Sequence, residues 1–302
     1  MKRILLLLIS VTFYFFSFSQ EGLDDIVEIH TNILKETPDV DTTAKEKLWK
    51  FGGNFSLTFS QVSLTNWVSG GENAISGAVG TLIAANYTKG KTKWDNTLDI
   101  GYGLTKQGED KVIKNEDKID FSSQFGKKAS DKWLYSSLIG FKTQFAEGYS
   151  YPNDSVVISN FLAPAYIIIS GGMDYRPSDK LSLFLSPITG RLTIVTDQEL
   201  SDKGAFGVEK GSNTRSEMGG FVRIVYQDKF FSENFSIRSK LELFSNYIEK
   251  PENIDINWDV SLNLRLGNYI TARFQTLMVY DDDMVAKLQV KELFGIGFSY
   301  RF

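Results

Sequence analysis

The side chains in this sequence that could carry chemistry are pairs and runs of carboxylates. Two pairs stand four residues apart, Asp95 with Asp99 and Asp255 with Asp259, and a run of three aspartates occupies 281–283. Carboxylates that work as a hydrolytic pair lie roughly 5–10 Å apart. Residues four apart on a strand are separated by about 13 Å, so neither pair can act alone. We interpret these groups as wall residues that form ion pairs. The candidate partners are Lys93, Lys118, Arg265 and Arg273.

The run at 281–283 could offer oxygen ligands to Ca²⁺, but a solvated loop is the favoured interpretation. We predict no metal ion and no cofactor. The chain has no cysteine, and its one histidine is His30. A thiol nucleophile, a Cys-ligated zinc and a Ser-His-Asp triad are therefore excluded from the region that follows. We predict that the protein is not an enzyme, and an enzyme using carboxylates alone is the open alternative.

The N-terminus has the composition of a secretory signal peptide. Lys2 and Arg3 precede an apolar stretch at 4–16, and the small residues Ser17 and Ser19 follow it. A membrane anchor is the alternative, but the stretch is shorter than the roughly 20 residues a spanning helix needs. The net charge of −4 gives no indication of nucleic-acid binding. The predicted organisation is a signal peptide at 1–19, a flexible periplasmic N-terminal segment at 20–47 and a β-barrel at 48–302.

From residue 48 the apolar residues recur at every second position. In "IDINWDVSLNLRL", at 254–266, the apolar residues from Ile254 to Leu266 take one face and polar or charged residues take the other. Only a strand separates two such sets, because a helix has a period of 3.6 residues. About twelve segments follow this pattern. They are predicted to start near Leu48, Ala74, Thr92, Glu116, Lys132, Phe161, Leu181, Arg215, Glu233, Ile254, Tyr269 and Leu293.

The predicted strands are long, and their connectors alternate between short and long. Most segments have about 10 residues or more, which is the length that a tilted strand needs to cross a bilayer. Short connectors such as "TKGK" and "PSDK" alternate with longer ones such as "KQGEDKVIKN" and "DDDMVAKLQV". This pattern predicts an all-β fold, an up-and-down antiparallel transmembrane β-barrel of about 12 strands in the outer membrane. A soluble periplasmic β domain is the alternative.

The polar face of the predicted strands carries both signs of charge in similar numbers. A selective pore is expected to show one dominant sign. The mixture suits a narrow channel or transporter for small solutes, and equally a non-conducting structural or interaction barrel in an envelope complex. No residue or motif indicates a particular substrate. The predicted interior charges are Lys93, Asp95, Asp99, Lys118, Asp120, Lys142, Arg223, Arg238, Lys240, Glu242, Asp255, Asp259, Arg265 and Arg273.

The chain ends on "FGIGFSYRF", in which aromatic or aliphatic residues alternate up to Phe302. We predict that this strand pairs with the first one, so that the barrel has no free edge. A last strand with Phe298, Tyr300 and a terminal Phe302 resembles the signal by which outer-membrane proteins are recognised for assembly. That resemblance implies outer-membrane lipid and the barrel-assembly machinery as partners, and an envelope protein partner is a further expectation.

The segment after the first strand carries a distinctive motif. It consists of Gln61, Ser63, Leu64, Asn66, Trp67, Gly70, Gly71 and Asn73. This motif, and a second stretch at 185–211, resemble a Bacteroidetes outer-membrane-associated family known as domain of unknown function 3078. The resemblance implies location and fold, and no activity.

Three interpretations of the loop at 63–73 stay open. Trp67 could be an interfacial residue at a strand end, it could anchor a loop that packs inward over the barrel mouth, or it could bind a partner protein. In the second stretch, Pro187 and Gly190 interrupt a strand-like run. Since proline removes a ladder donor, a bulge or an early strand end is expected there, or else an inward fold of the following loop.

Overall fold

The computed structural model describes residues 48–65, 72–151, 153–230 and 234–302. Twelve of its strands form one antiparallel sheet that closes on itself. The predicted all-β barrel and its strand number are therefore confirmed. The predicted signal peptide at 1–19 and segment at 20–47 lie outside the described residues. Among the described residues, no helix is long and apolar enough to cross a membrane.

The barrel strands follow one another around the ring in chain order, and β5 pairs with β8 because the short hairpin β6–β7 lies in a loop. The barrel strands are β1 (Trp49–Val62), β2 (Ala74–Lys89), β3 (Thr92–Gln107), β4 (Ile113–Lys128), β5 (Trp133–Thr143), β8 (Ala165–Ser178), β9 (Leu181–Ile194), β10 (Thr214–Lys229), β11 (Phe235–Asn246), β12 (Ile254–Leu266), β13 (Ile270–Asp281) and β14 (Val285–Arg301). The hairpin strands are β6 (Gly148–Ser150) and β7 (Asn153–Ser159), and one short helix, α1, spans Gln198–Lys203.

The predicted strand starts agree with the structure to within a few residues, except for the last one. β14 begins at Val285 and not near Leu293. The sequence "VAKLQV" lacks clean alternation and follows three aspartates, so it was expected to belong to a long loop. That expectation is wrong, since the β13–β14 turn holds only residues 282–284. The β3–β4 connection at 108–112 is likewise shorter than expected.

The two ends of the barrel differ in the size of their connections. Both ends of the described chain lie at one end, which we call the termini end, with the turns at 90–91, 129–132, 179–180, 230–234 and 267–269. The opposite end, the loop end, carries the larger connections at 63–73, 144–164 and 195–213. The three longest connections therefore all lie at the same end of the barrel, as the alternation of short and long connectors predicted.

The outer surface of the barrel is apolar and the interior is polar. On β1 and β14 the outward side chains Phe51 and Phe294 are 73% and 70% exposed. Alternate residues on the same strands, such as Asn54 and Ser299, face inward and hydrogen-bond to each other at 2.7 Å. The strand alternation therefore places the large apolar side chains outside, as the sequence predicted.

The expected irregularity at Pro187 is a β-bulge. The pairing of β9 with β10 shifts between Gly219 and Phe221, opposite Pro187. The strand continues beyond the bulge to Ile194. The hydroxyl oxygen of Ser186 lies 2.9 and 2.8 Å from the carbonyl oxygens of Gly171 and Ile188, and its single proton can bond either one. This contact holds the backbone at the bulge, where the proline has no ladder donor.

Candidate functional site

Ion pairs join opposite walls of the barrel interior. The ammonium group of Lys142 on β5 binds the carboxylate of Glu242 on β11. Lys240, two residues from Glu242, binds Asp120 on β4 with an Nζ–Oδ2 distance of 2.8 Å. Because β4 and β5 lie several strands away from β11 around the ring, each pair crosses the lumen. We call these four residues the ionic bridge.

A second set of polar contacts continues the bridge towards β8. Arg223 on β10 donates to Ser122 at 2.7 Å and also to Gln124 on β4. Gln124 donates in turn to the carboxylate of Asp174 at 2.8 Å. Asp174 is fully buried and also accepts from Arg176. Burial removes a carboxylate from water, and these donors replace the hydrogen bonds it loses. The contacts therefore fix the relative positions of the two walls.

An apolar layer, which we call the aromatic layer, lies beside the bridge in the interior. It consists of Leu138, Phe184, Phe221 and Phe244, with Ile168 packed against it. Phe184 is 0% exposed and Phe244 is 4% exposed, although both project into the interior of the barrel. Aromatic rings buried to this degree leave no room for water among them. The layer therefore fills the sector of the lumen enclosed by β5, β8, β9, β10 and β11.

A third layer, nearer the loop end, is centred on Arg191. Its guanidinium carbon lies 4.2 Å from the centre of the Phe244 ring. It binds Glu217 in a bidentate manner, with N–O distances of 2.7 and 2.8 Å, and also binds Asp255 on β12. Bidentate Arg–carboxylate pairs of this kind are strong and directional. Arg191 thus ties β9, β10 and β12 together directly above the aromatic layer.

The predicted aspartate run forms part of a small acidic group. Carboxylate oxygens of Asp255, Asp281 and Asp282 all lie within 4.8 Å of one another. Arg191 binds Asp255, and Lys250 binds Asp282 at 3.3 Å. The hydrogen bond to Asp282 also raises the pKa of Lys250. Two of the three carboxylates therefore already have a cationic partner.

The loops at the loop end fold over part of the barrel mouth. Arg215 on β10 binds Asp283 in the β13–β14 turn, and it donates to the carbonyl oxygen of Gly207 at 3.2 Å. Tyr166 on β8 contacts the sulfur of Met284 in the same turn at 3.5 Å. These contacts reach from β8 and β10 across to the β13–β14 turn, so side chains bridge the mouth as well as the middle of the lumen.

Helix α1 caps this end over a small apolar cluster. The cluster contains Ala163, Val195, Leu200 and Val208. Asp197 is the N-cap of α1 and accepts a hydrogen bond from the backbone N–H of Leu200 at 3.1 Å. The side-chain amide of Asn160 also donates to Asp197 and lowers the pKa of its carboxyl group. The loops 144–164 and 195–213 are therefore locked together by Asp197.

Two cavities lie towards the termini end, and the larger one borders the ionic bridge at Asp120 and Lys240. The larger has a volume of about 440 Å³ and is lined by charged groups that include Asp95, Arg176 and Lys240. The smaller, of about 190 Å³, has small residues such as Gly80 and Ser261 on its walls. Turn residues Asp179 and Lys180 line both cavities, which places them at the termini-end entrance.

The sequence predicted interior ion pairs correctly and identified one of the partners. Asp99 binds Lys118 at 2.7 Å. The other carboxylates bind groups that the sequence analysis did not single out. Asp95 binds Arg176, Asp255 binds Arg191, and Asp259 accepts from Gln275 at 2.8 Å. Among the described residues, Lys93, Arg265 and Arg273 are not the partners of these aspartates, and Arg265 donates to the carbonyl oxygens of Gly267 and Asn268.

Sequence reasoning missed a set of buried charged residues on β8 to β10 that form ion pairs. These are Asp174, Arg176, Arg191 and Glu217. Their strands contain a bulge and stretches such as "YIIISGG", which weaken the alternation that marked other interior charges. The even spacing of Arg215, Glu217 and Arg223 on β10 was the available signal, since residues an even number apart share a face.

The loop motif is only partly described. Gln61 is exposed near the end of β1, Ser63 is exposed, and Leu64 is half-buried. The backbone N–H of Leu64 donates to the side-chain oxygen of Asn73 at 2.6 Å, which joins the two ends of the loop. Asn66, Trp67, Gly70 and Gly71 lie outside the described residues, so the three interpretations of Trp67 stay open.

The last strand closes the barrel against the first one. Pairing runs from Asn54 with Arg301 to Phe59 with Ile296. The backbone groups of Phe302 and Gly53 exchange two hydrogen bonds at 3.0 and 3.2 Å. Phe298, Tyr300 and Phe302 all lie exposed on the outer face, as the alternation predicted.

With this geometry established, comparison with known proteins identifies a family for part of the chain. Residues 59–149 match the family described as "Protein of unknown function (DUF3078)". The resemblance drawn from the motif is therefore confirmed for that range, which holds all eight motif residues. The second resembling stretch, at 185–211, lies beyond the DUF3078 match. No curated protein matches the chain in sequence.

Solved structures that resemble the chain are outer-membrane barrels. An outer-membrane channel from Pseudomonas putida F1 is 12% identical, with a TM-score of 0.39, over 88% of this chain and 99% of that one. The translocator domain of the autotransporter NalP from Neisseria meningitidis is 10% identical, with a TM-score of 0.38, over 86% of this chain and 90% of that one. Similarity at this level does not show what this chain binds or transports.

Proposed function

We propose that this protein is an outer-membrane β-barrel that crosses the bilayer with its twelve strands. The support is the distribution of its side chains, with large apolar residues such as Phe51, Ile188 and Phe294 exposed on the outside and ion pairs inside. A water-soluble barrel would leave a continuous apolar surface of this kind exposed to water, which monomeric soluble proteins avoid. A transmembrane barrel turns the same face towards lipid.

Aromatic side chains at the termini end support the same proposal. The ring of Trp49, the first residue of β1, lies 5.3 Å from that of Tyr87 and 5.4 Å from that of Trp94. Trp and Tyr concentrate at the membrane–water interface, where one side of the ring is apolar and the other is hydrated. Further outer ring pairs at this end join Trp133 with Tyr175 and Tyr269 with Phe298.

We propose further that the lumen is held closed by side chains, so that the protein acts as a structural or interaction barrel. The observation that carries this is the ionic bridge together with the aromatic layer beside it. In the bridge, Lys142 and Glu242 join opposite walls, and the buried Phe244 lies two residues from Glu242. An aqueous pore needs a hydrated lining along its length. The proposal assigns no enzymatic activity, because the bridge carboxylates are paired with lysines.

A narrow solute path is the second candidate function, and one observation favours it. Many inward side chains of β1, β2 and β14 are small, among them Ser56, Thr58, Gly80 and Gly297. This wall lies outside the sector that the aromatic layer fills. A path here would be lined by hydroxyl and backbone groups and would favour small uncharged solutes.

Two measurements test these proposals. Outer-membrane fractionation and faster gel migration before boiling than after it test the barrel in its membrane, and recovery as a soluble periplasmic protein would contradict it. Uptake of small sugars into liposomes containing the purified protein tests the lumen. A closed lumen predicts uptake equal to that of protein-free liposomes. Uptake that stops above a defined solute size would instead support the narrow path.

A further inference from the structure

The smaller termini-end cavity contains an unusual concentration of arginine. Arg238 on β11 and Arg273 on β13 both line this space of about 190 Å³. The Nε atom of each guanidinium is buried and has no hydrogen-bond partner. Within the described ranges, neither arginine forms an ion pair with a carboxylate of the chain.

Several other interior cations have close partners within the protein. Arg176, Arg191 and Lys240 each have two carboxylate partners, and Lys118 and Lys142 each bind one. Arg223 donates to Ser122 and Gln124. Arg238 and Arg273, in contrast, have no carboxylate partner in the described chain. Both line the same cavity. A buried guanidinium needs an acceptor for its donors.

The walls of the cavity are suited to a small ligand. Small residues leave the space open, among them Gly52, Gly80 and Ala84. Hydroxyl and amide groups of Ser236, Ser261, Asn263 and Ser299 also line it and could donate further hydrogen bonds. Two lining carboxylates lack an ion pair with a described residue, Glu116 and Asp179; those of Asp99 and Asp228 are held by Lys118 and Lys180.

We propose that this cavity is a binding site for a small oxyanion, of the phosphate or carboxylate class, held by Arg238 and Arg273. The edge of a guanidinium formed by Nε–H and a terminal N–H presents two parallel donors, which match two oxygens of such an anion. In both residues the Nε donor of this edge has no partner within the protein. The ligand enters from the termini end, because turn residues Asp179 and Lys180 form part of the lining.

The test is calorimetric titration of the intact purified barrel in detergent with inorganic phosphate and, separately, with succinate and with chloride. Saturable binding of either oxyanion is expected, with at least tenfold weaker binding, about the contribution of one charge-assisted contact, in Arg238→Gln/Arg273→Gln. Arg215→Gln, which removes a paired arginine at the loop end, is the matched control and should bind as the parent protein does. Gel migration of unboiled samples confirms that each variant is folded.

A third variant separates charge from geometry. Arg238→Lys/Arg273→Lys keeps both charges and removes the two-donor edge, so it should bind the oxyanions more weakly than the parent protein while still binding more tightly than the glutamine variant. The proposal is overturned if neither oxyanion binds, which would mean that Glu116 and Asp179 or water satisfy the arginines. It is also overturned if chloride binds as tightly as the oxyanions, or if the double glutamine variant binds them as the parent does.

Discussion

The ring of Phe302 lies directly over the α-carbon of Gly53. A β-carbon at residue 53 would come within 2.4 Å of the tip of the Phe302 ring and 2.9 Å of the carbonyl oxygen of Leu82. The glycine at position 53 of β1 therefore provides the space that the Phe302 ring occupies. This packing accompanies the two backbone hydrogen bonds that join Phe302 to Gly53.

Gly53→Ala should therefore weaken barrel closure. The added methyl group must displace the Phe302 ring and still meets a backbone oxygen on β2, so a loss of about 1–3 kcal/mol in the free energy of unfolding is expected. Urea unfolding of the protein in detergent or liposomes measures it. Gly190→Ala is the matched control, because a β-carbon at that outward-facing residue meets nothing within 4 Å. Equal stability of the two variants would show that the ring moves aside freely.

Deletion of Phe302 should reduce the amount of assembled barrel in cells. The residue provides backbone hydrogen bonds to Gly53 as well as its ring, so its loss shortens the seam between β14 and β1. Quantitative gels of unboiled outer membranes measure the assembled fraction. Phe298→Ala should have a smaller effect, since it leaves the backbone seam intact. Assembly at the parental level after deletion of Phe302 would mean that the terminal aromatic is incidental.

Leu262→Arg should destabilise the barrel by about 2–4 kcal/mol, the range for a cation near the middle of a bilayer. Leu262 is near the middle of β12, and its neighbours Ser261 and Asn263 face the interior cavity, so Leu262 points outward. The control is Asn257→Arg on the inward face of the same strand, where Glu242 lies opposite on β11. If urea unfolding shows similar losses in the free energy of unfolding for both variants, the outer face of β12 is not in contact with lipid.

Asp197→Ala should loosen the loop at 195–213 by about 0.5–2 kcal/mol, because the N-cap of α1 loses its acceptor. The lowered pKa of Asp197 means that its contribution is fully present above the ordinary aspartate pKa of about 4 and is lost as the pH falls through the lower folded value. Hydrogen exchange of this loop, corrected for the intrinsic pH dependence, should therefore rise in acid. Asp197→Asn keeps an acceptor and removes the titration, so its loop should show no such rise.

The fold could be predicted from the sequence wherever alternation was clean. β12 was recognised at its first residue, Ile254, because lipid-facing and interior residues alternate without interruption. Val285 was missed as the start of β14, since both faces of that strand are exposed at the loop end and no selection for alternation acts there. Apolar and polar residues alternate along a strand only where its two faces meet different environments. Where both faces meet water, the alternation is lost and the strand cannot be recognised from it.

The interior contacts could be predicted only as a class. Similar numbers of both charges on one face indicated ion pairs, yet the pairing of Lys142 with Glu242 joins residues 100 positions apart across the lumen. Strand sequence fixes the face of a residue, and it does not fix which residue lies opposite across a closed barrel. The aromatic layer was missed for a different reason. Phe221 and Phe244 share a face with Arg223 and Glu242, but large apolar side chains were expected only on the outer face.

The central claim, that side chains close the lumen, is tested most directly by single-channel conductance in planar bilayers. The parent protein should show no stable open level, whereas Lys142→Ala/Glu242→Ala, which removes both charges of one bridge together, should give a measurable steady current. Lys203→Ala/Glu199→Ala removes an exposed ion pair on helix α1 and should stay as silent as the parent. A stable open conductance in the parent protein, unchanged by loss of the Lys142–Glu242 pair, would contradict the account.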